Sequence, residues 1–275
     1  QKIKTKLEIS EAGAIDYLTS EKNKFKNRSN QINEFFNTES SYYLADLSSL
    51  ALKFAGHSYF TTWDISKLKL EREKIAQKLK EYENLEYWMT EYCVLENNKE
   101  IRGKGKDLGM KTALYVSRVI HADLTIANAS AWHWWTALSA YNYKDGLVYV
   151  DKNKNDGAYS DSKLLWALGN YSRFIRPEAK RIKVDYEGLN SIDNLKEGVL
   201  ISAYKNIDKS IVVVIVNQQE EAANLNVLLG AISTFKSLNF YTTNGTLNLQ
   251  KVPLERNTKT LHISGKSVNT LVYMK

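Results

Sequence analysis

The stretch Trp88-Met89-Thr90-Glu91-Tyr92-Cys93 ends an apolar run and carries a single carboxylate, that of Glu91. Two stretches of the same kind flank it: Gly56-His57-Ser58-Tyr59-Phe60 comes earlier in the chain, and Ala131-Trp132-His133-Trp134-Trp135 comes later. In each stretch polar or aromatic residues follow apolar ones, and helix-like patterns lie between the three. This order is typical of a β/α barrel, in which the working residues follow the carboxyl ends of the strands.

The surrounding sequence predicts four β/α units within residues 1–177. Residues 3–10 alternate apolar and polar side chains, as a half-buried strand does. Residues 46–54 place three apolar side chains on one helical face, and a short strand then reaches His57. The remaining predicted elements are a helix over 66–82, a strand over 85–94, a helix from an Asp107 N-cap to about Ala127, a strand over 130–138 and a helix over 164–175. A closed barrel has eight such units, so four are either half of a barrel or an open parallel sheet.

The sequence pattern changes near Arg181, where helical periodicity stops. Short β-rich runs follow, punctuated by turn residues such as Asn244-Gly245 and Ser264-Gly265. Regular short strands of this kind are typical of an antiparallel sandwich. The runs cover residues 198–205, 210–217, 223–229, 233–242, 246–254, 258–264 and 267–275.

Composition narrows the class of protein. The chain has 275 residues, of which 43% are hydrophobic, so it can bury a substantial core. Its net charge is +7, but acidic residues are interleaved with the basic ones, which indicates a solvated surface and disfavours a nucleic-acid partner. No apolar run is long enough for membrane insertion, and the single cysteine, Cys93, excludes an internal disulfide.

Glu91 is the main candidate for a catalytic side chain. A carboxylate in an aromatic setting is costly without a partner, so Glu91 is either catalytic or a structural residue paired with an Arg or Lys of the next strand. His57 and Glu11 follow predicted strands in similar positions. Glu11 is either a second active-site carboxylate or a cap for the backbone that follows it. Aromatic rings cluster near these residues, as carbohydrate sites require, although large rings also fill protein cores.

Alternation along a strand predicts the sides on which the neighbouring residues lie. It sends His133 to one side of its strand and both Trp132 and Trp134 to the other. Cys93 should share the side of Glu91 and act as a small packing residue.

Several other kinds of site are excluded by their spacing. The stretch 103–109 imitates a dinucleotide loop, but its last glycine comes one residue late and no apolar strand leads into it. The histidines and the cysteine lack metal-ligand spacing, and no Gly-x-Ser-x-Gly nucleophile elbow occurs.

The quoted stretches resemble the C-terminal part of glycoside hydrolase family 30, in the branch that contains the endo-β-1,6-galactanases. The likeness extends to Ile9–Leu18, to residues 57–63 with Trp63 at their end, and to Leu168–Pro177, which resembles the segment that closes the barrel before the sandwich. The predicted fold class is therefore α/β plus all-β. It consists of the second half of a (β/α)8 barrel over residues 1–180 and an antiparallel β-sandwich over residues 181–275.

The resemblance implies a retaining mechanism with Glu91 as the nucleophile. It also implies that His57, Tyr59, Trp63 and Trp134 shape the sugar site, while Glu11 hydrogen-bonds the substrate or orients Glu91. The family's acid/base lies in an Asn-Glu-Pro segment, which this sequence lacks, since Asn33-Glu34 is followed by Phe35. The chain is expected to begin near the fifth barrel strand, to need an N-terminal half as partner, and to be nearly inactive alone.

The leading interpretation is a retaining glycoside hydrolase for β-linked poly- or oligosaccharides, with an endo-β-1,6-galactanase as the specific candidate. No metal or organic cofactor is implied. Family analogy predicts a bacterial protein that is secreted or held in the periplasm or at the cell surface. The alternative is a non-catalytic carbohydrate-binding protein, in which the aromatic residues bind glycan and Glu91 is structural.

Overall fold

The computed structural model describes residues 4–153, 155–185, 195–229, 235–254 and 260–275. The chain divides into two compact units. One unit consists of Gln1–Lys104 with Val119–Thr136, and the other of Gly105–Arg118 with Ala137–Lys275. None of the described helices combines the length and the apolar composition needed to span a lipid bilayer.

The first unit is built on a parallel sheet of four short strands. The strands are β1 (Glu11–Ala12), β2 (Lys53–Gly56), β3 (Glu86–Met89) and β4 (Ala131–Trp132), and they lie in the order β1-β2-β3-β4. The helices between them in the chain are α1 (Asp16–Thr19), α2 (Gln31–Phe36), α3 (Ile65–Glu81) and α4 (Met110–Thr125), and of α4 only residues 119–125 belong to the first unit. This is the predicted half of a β/α barrel, with all four carboxyl ends at one edge of the sheet.

Helices α3 and α4 begin where carboxylates accept their first backbone N–H groups. Asp64 is the N-cap of α3 and accepts from the backbone of Lys67 at 2.9 Å. Asp107 lies just ahead of α4 and accepts from the backbone N–H of Gly109 at 2.8 Å and of Thr112 at 2.9 Å. Asp107 therefore satisfies one donor of the first turn, that of Thr112, although it lies three residues before Met110 and not at the predicted N-cap position.

Two local predictions for the first unit are wrong. Over residues 4–10 only Leu7 makes a bridge, to Leu50, and the strand itself is Glu11–Ala12. Residues 46–52 form turns rather than a helix, and Phe54 lies buried within β2. Strand β2 pairs on both sides, with β1 and with β3, and this pairing outweighs the helical spacing of the apolar residues.

From Ala137 onward the second unit first forms a small sheet and a helix. Strands β5 (Leu138–Ser139), β6 (Val148–Val150) and β7 (Tyr159–Asp161) form the sheet, which the sequence did not predict. Helix α5 (Lys163–Ser172) follows, and its N-cap Ser162 accepts from the backbone of Leu165. Asn170 of α5 donates to the Thr243 hydroxyl at 2.8 Å and accepts from the Thr270 hydroxyl at 2.9 Å.

The remainder of the second unit is the predicted antiparallel sandwich. The strands are β8 (Lys180–Ile182), β9 (Val199–Lys205), β10 (Ile211–Asn217), β11 (Ala223–Leu225), β12 (Ser237–Thr243), β13 (Gln250–Val252), β14 (Leu261–Ile263) and β15 (Ser267–Met274). The larger sheet has the order β13-β12-β15-β10-β9-β8, and the smaller sheet pairs β11 with β14. Every predicted run contains a strand, and β8 is additional; parts of the runs at 233–242 and 258–264 fall outside the described residues.

The sandwich core is formed by inward-facing residues of both sheets. In the larger sheet the alternate residues Ile211, Val213 and Ile215 of β10 are buried. Leu261 and Ile263 of β14, in the smaller sheet, belong to the same buried cluster. The predicted boundary between residues 180 and 181 stays a prediction.

Candidate active site

The candidate site lies at the carboxyl edge of the parallel sheet. Backbone pairing continues past the strand ends, because the His57 N–H donates to the Ala12 carbonyl at 2.8 Å and the Thr90 N–H donates to the Gly56 carbonyl at 3.3 Å. A Cβ atom on Gly56 would lie 2.9 Å from a methyl carbon of Leu18, so the glycine at the end of β2 allows close packing against α1. The residues after β2 and β3 are thereby brought side by side.

Glu91 is held from two directions at this edge. The Tyr59 hydroxyl donates to Glu91 Oε1 at 2.9 Å, and His57 Nδ1 lies 3.7 Å from the same oxygen. The Glu91 side chain is 31% exposed, so it is accessible from solvent although its surroundings are largely packed. A carboxylate fixed in this way can act as a nucleophile or stabilise a developing positive charge.

His57 also contacts a second carboxylate. Its Nε2 lies 2.6 Å from Glu11 Oε1, and the Thr90 hydroxyl donates to that same oxygen. The ring of His57 is therefore at hydrogen-bond distance from Glu11 and at ion-pair distance from Glu91. The predicted residues Glu11, His57, Tyr59 and Glu91 therefore form one connected group.

Tyr59 is a neutral donor in this group. Its side chain is buried, and burial is the main cause that raises the pKa of the Tyr59 hydroxyl, with Cys93 and Glu91 as further causes. Cys93 Sγ lies 3.6 Å from the same hydroxyl and is itself buried. Cys93 thus shares the side of Glu91, as the alternation predicted.

Trp134 lies in an aromatic group beside the site. Its ring stacks on that of Trp132 with centroids 6.3 Å apart, and both meet the buried ring of Tyr92 edge-on. His133 is exposed and lies edge-on to Trp88, with ring centroids 6.0 Å apart. The predicted separation of the two tryptophans from the histidine is confirmed.

Trp63 lines a separate cavity of about 430 Å³ in the first unit. The other lining residues are Asn97, Asn98, Lys99 and Arg102. Trp63 forms one wall of this cavity, and residues 97–99 with Arg102 form the other. The buried Glu96, next to the second wall, accepts from the hydroxyl of Thr62, next to Trp63, at 2.6 Å and from the Tyr92 hydroxyl at 3.0 Å. Burial raises the pKa of Glu96.

Glu34 does not lie at a strand end. It belongs to α2, and its carboxylate accepts from the Ser40 hydroxyl at 3.4 Å. Across the described ranges, no group of three or more His, Cys, Asp or Glu side chains is arranged to hold a metal ion.

Sequence analysis missed several residues behind the site. Arg72 and Asp123 form a fully buried ion pair, and Thr90 contacts Glu11. A signal for Arg72 was available, because the spacing of Leu68, Arg72 and Ile75 puts all three on the buried face of α3.

Comparison of the chain with known proteins identifies the family to which it belongs. The family model described as O-Glycosyl hydrolase family 30 matches residues 1–149, more than half of the chain. The chain belongs to glycoside hydrolase family 30. The model described as the family 30 beta sandwich domain matches residues 178–271, in agreement with the antiparallel sandwich.

Individual relatives agree with the family 30 assignment. Glucuronoxylanase XynC of Bacillus subtilis is 28% identical over 194 residues, which are 68% of this chain and 39% of that protein. A conserved exported protein from Bacteroides fragilis has a TM-score of 0.85 and 31% identity, covering 98% of this chain and 56% of that one. A family 30 endoxylanase from Clostridium papyrosolvens has the same fold, with a TM-score of 0.64 and 19% identity over 100% of this chain and 57% of that one. The chain thus spans about two fifths of the curated relative's length.

Proposed function

We propose that this chain supplies the nucleophile-bearing part of a retaining glycoside hydrolase that acts on β-linked glycans. The observation that carries the proposal is the Glu91 carboxylate, which follows the third parallel strand and has Oε1 fixed by the Tyr59 hydroxyl at 2.9 Å. Both described contacts go to Oε1, so Oε2 is the oxygen that we assign to attack.

The proposed reaction has two steps. Glu91 Oε2 attacks the anomeric carbon while a second carboxylic acid protonates the departing glycosidic oxygen, and water then hydrolyses the resulting glycosyl ester. His57 and Tyr59 hold the nucleophile, and Glu11 fixes the His57 ring through the 2.6 Å contact to Nε2. The stacked rings of Trp132 and Trp134 form what we call the aromatic wall of the sugar site. No metal or organic cofactor takes part.

We assign Trp63 to a more distant sugar-binding position. It is 41% exposed, so the face of its ring is available to a sugar, and its cavity offers amide and cationic donors from Asn97, Asn98, Lys99 and Arg102. The buried Glu96 contacts hold the two walls in place before a glycan arrives, which reduces the ordering cost of binding.

The acid/base is expected from four further β/α units. In the part of the chain that the structure describes, the parallel sheet is open at β1 and at β4, and one face carries the half-buried Lys53 and Trp88 and the exposed His133. A barrel encloses such a face. Without the general acid, residues 1–275 should lose about 10²–10⁴-fold in rate on unactivated glycosides.

Two glycans are the first substrates to test. The sequence stretches favour a β-1,6-galactan, and the identity to a glucuronoxylanase favours glucuronoxylan. The similarity to an exported protein supports action outside the cytoplasm.

Hydrolysis of these two glycans tests the proposal. The protein to use is residues 1–275 joined to the four further β/α units, which we call the complete polypeptide. The native protein should release sugars whose anomeric proton signal first appears in the β form, and Glu91→Gln should abolish release. The matched control is Glu86→Gln, which changes a glutamate at the start of the same strand, and it should keep most of the activity. Glycan binding without any turnover would instead favour a carbohydrate-binding protein.

A comparison of residues 1–275 with the complete polypeptide tests the need for an N-terminal half. Efficient hydrolysis by 1–275 alone, abolished by Glu91→Gln, would refute that part of the proposal and would leave the role of Glu91 intact.

A further inference from the structure

A buried ion pair lies behind the candidate site without touching Glu91. Arg72 of α3 and Asp123 of α4 approach to 2.8 Å between Nε and Oδ1, and both side chains are fully buried. Replacement of such a pair by apolar residues is often neutral or stabilising, so stability alone does not explain it. We therefore consider whether the pair fixes the positions of the side chains around it.

Most of the other hydrogen bonds of the pair go to the loop after β2 and to Trp132, and Arg72 also donates to the Leu68 carbonyl of its own helix at 3.3 Å. Asp123 accepts from the Ser58 hydroxyl at 3.0 Å and from the Trp132 indole N–H at 2.9 Å. Arg72 donates to the Ser58 hydroxyl at 2.9 Å and to the Thr61 carbonyl at 2.8 Å. One ion pair thus joins the loop after β2 to the tryptophan of β4.

That loop carries two of the residues that hold Glu91. Ser58 lies between His57 and Tyr59, and all three precede Phe60, whose φ of 58° is in the left-handed region. This conformation is unfavourable for a residue other than glycine, so surrounding contacts must maintain it. Thr61 closes the bend by donating from its hydroxyl to the Ser58 carbonyl at 2.9 Å.

We propose that Asp123 is a positioning residue for the reaction, acting through Ser58 on His57 and Tyr59 and through Trp132 on the aromatic wall. The proposal rests on the proposed function of Glu91. It assigns to Asp123 of α4 the task of setting the direction from which the Tyr59 and His57 side chains approach the Glu91 carboxylate.

Two variants test this without unpairing the buried charges. Ser58→Ala removes the link between Asp123 and the loop, and Trp132→Phe removes the link to the aromatic wall; both keep the Arg72–Asp123 contact. In the complete polypeptide each should lower kcat about tenfold with little change in KM, because misplaced groups reduce the rate more than the affinity. Ser58→Ala should also shift the ¹⁵N signals of the His57 ring.

Ser117→Ala is the matched control, since Ser117 is a fully buried serine of α4 whose hydroxyl donates to the Ala113 carbonyl at 2.7 Å. It also removes a buried serine hydroxyl, and kcat and the His57 signals should stay unchanged. Unchanged kcat and unchanged His57 signals in Ser58→Ala would overturn the proposal, as would an equal loss of kcat in Ser117→Ala. The ring signals do not depend on turnover, so an inactive native protein would refute the proposed function and still allow the positioning test.

Discussion

Replacement of Tyr59 by phenylalanine removes one hydroxyl and keeps the buried ring. The hydroxyl donates to Glu91 Oε1 at 2.9 Å and contacts Cys93 Sγ at 3.6 Å. In the covalent intermediate of the proposed reaction Glu91 is a neutral ester. Breakdown of the intermediate returns negative charge to the carboxylate, so the hydrogen bond from Tyr59 strengthens during that step.

The expected effect follows from the two states of the acceptor. A hydrogen bond to a neutral group contributes about 0.5–1.5 kcal/mol and one to a charged group about 1.5–3 kcal/mol, so the difference is about 1–1.5 kcal/mol. Because the transition state carries only part of this charge, hydrolysis of the intermediate should slow by at most about five- to twelvefold. Since formation of the intermediate gains no such charge, Tyr59→Phe should lower kcat and KM together and change kcat/KM much less.

Steady-state kinetics on an activated aryl glycoside measure this effect, because a good leaving group makes the second step limiting. Tyr82→Phe is the matched control, since it also removes a hydrogen-bonded hydroxyl, which donates to Asn33 Oδ1 at 2.8 Å. The control should keep the native kcat. An unchanged kcat in Tyr59→Phe, or a rise in KM, would refute the role assigned to this hydroxyl.

Three further outcomes follow from the structure. Burial raises the pKa of Glu96, so the folded state holds more protons than the unfolded chain between the ordinary and the raised pKa, and stability falls as pH rises through that window. Glu96→Gln should flatten this pH dependence in urea melts, and an unchanged slope would contradict the assignment. Asp107→Ala should destabilise the second unit by about 1 kcal/mol, whereas Asp107→Asn, which keeps an acceptor for the Thr112 backbone, should cost less; equal melts for the two would count against the cap. Trp63→Ala should weaken binding of long oligosaccharides about two- to tenfold and leave kcat on a small aryl glycoside unchanged, with exposed Leu70→Ala as control; a loss on the small substrate alone would place Trp63 elsewhere in function.

The sequence was most informative where a single periodicity decides the structure. Helix α3 has an apolar stripe and a charged face, and its predicted range of 66–82 nearly matches Ile65–Glu81. The strands of the sandwich are equally clear because turn residues separate them. Residues 46–54 misled because Phe54, the last of the apolar residues with helical spacing, belongs to β2, which pairs on both sides, whereas residues 46–52 form turns.

The members of the candidate site could be named from the sequence, but their connections could not. His57 and Glu91 follow the ends of β2 and β3, Glu11 begins the two-residue strand β1, and parallel pairing brings these positions together at one edge. The order of contact from Glu11 through His57 to Glu91 depends on side-chain rotamers, which no spacing encodes. Asp123 escaped notice because one acidic residue in an apolar helix gives no sign of the buried arginine that it meets.

Covalent labelling tests the role of Glu91 most directly. A 2-deoxy-2-fluoro glycoside with a good leaving group forms the glycosyl ester of a retaining enzyme and slows its hydrolysis, so the modified peptide can be sequenced by mass spectrometry. In the complete polypeptide, the label is predicted on Glu91 and should be absent from Glu91→Gln. A label on Glu11 or on another carboxylate, in a protein that hydrolyses the parent glycan, would contradict the account.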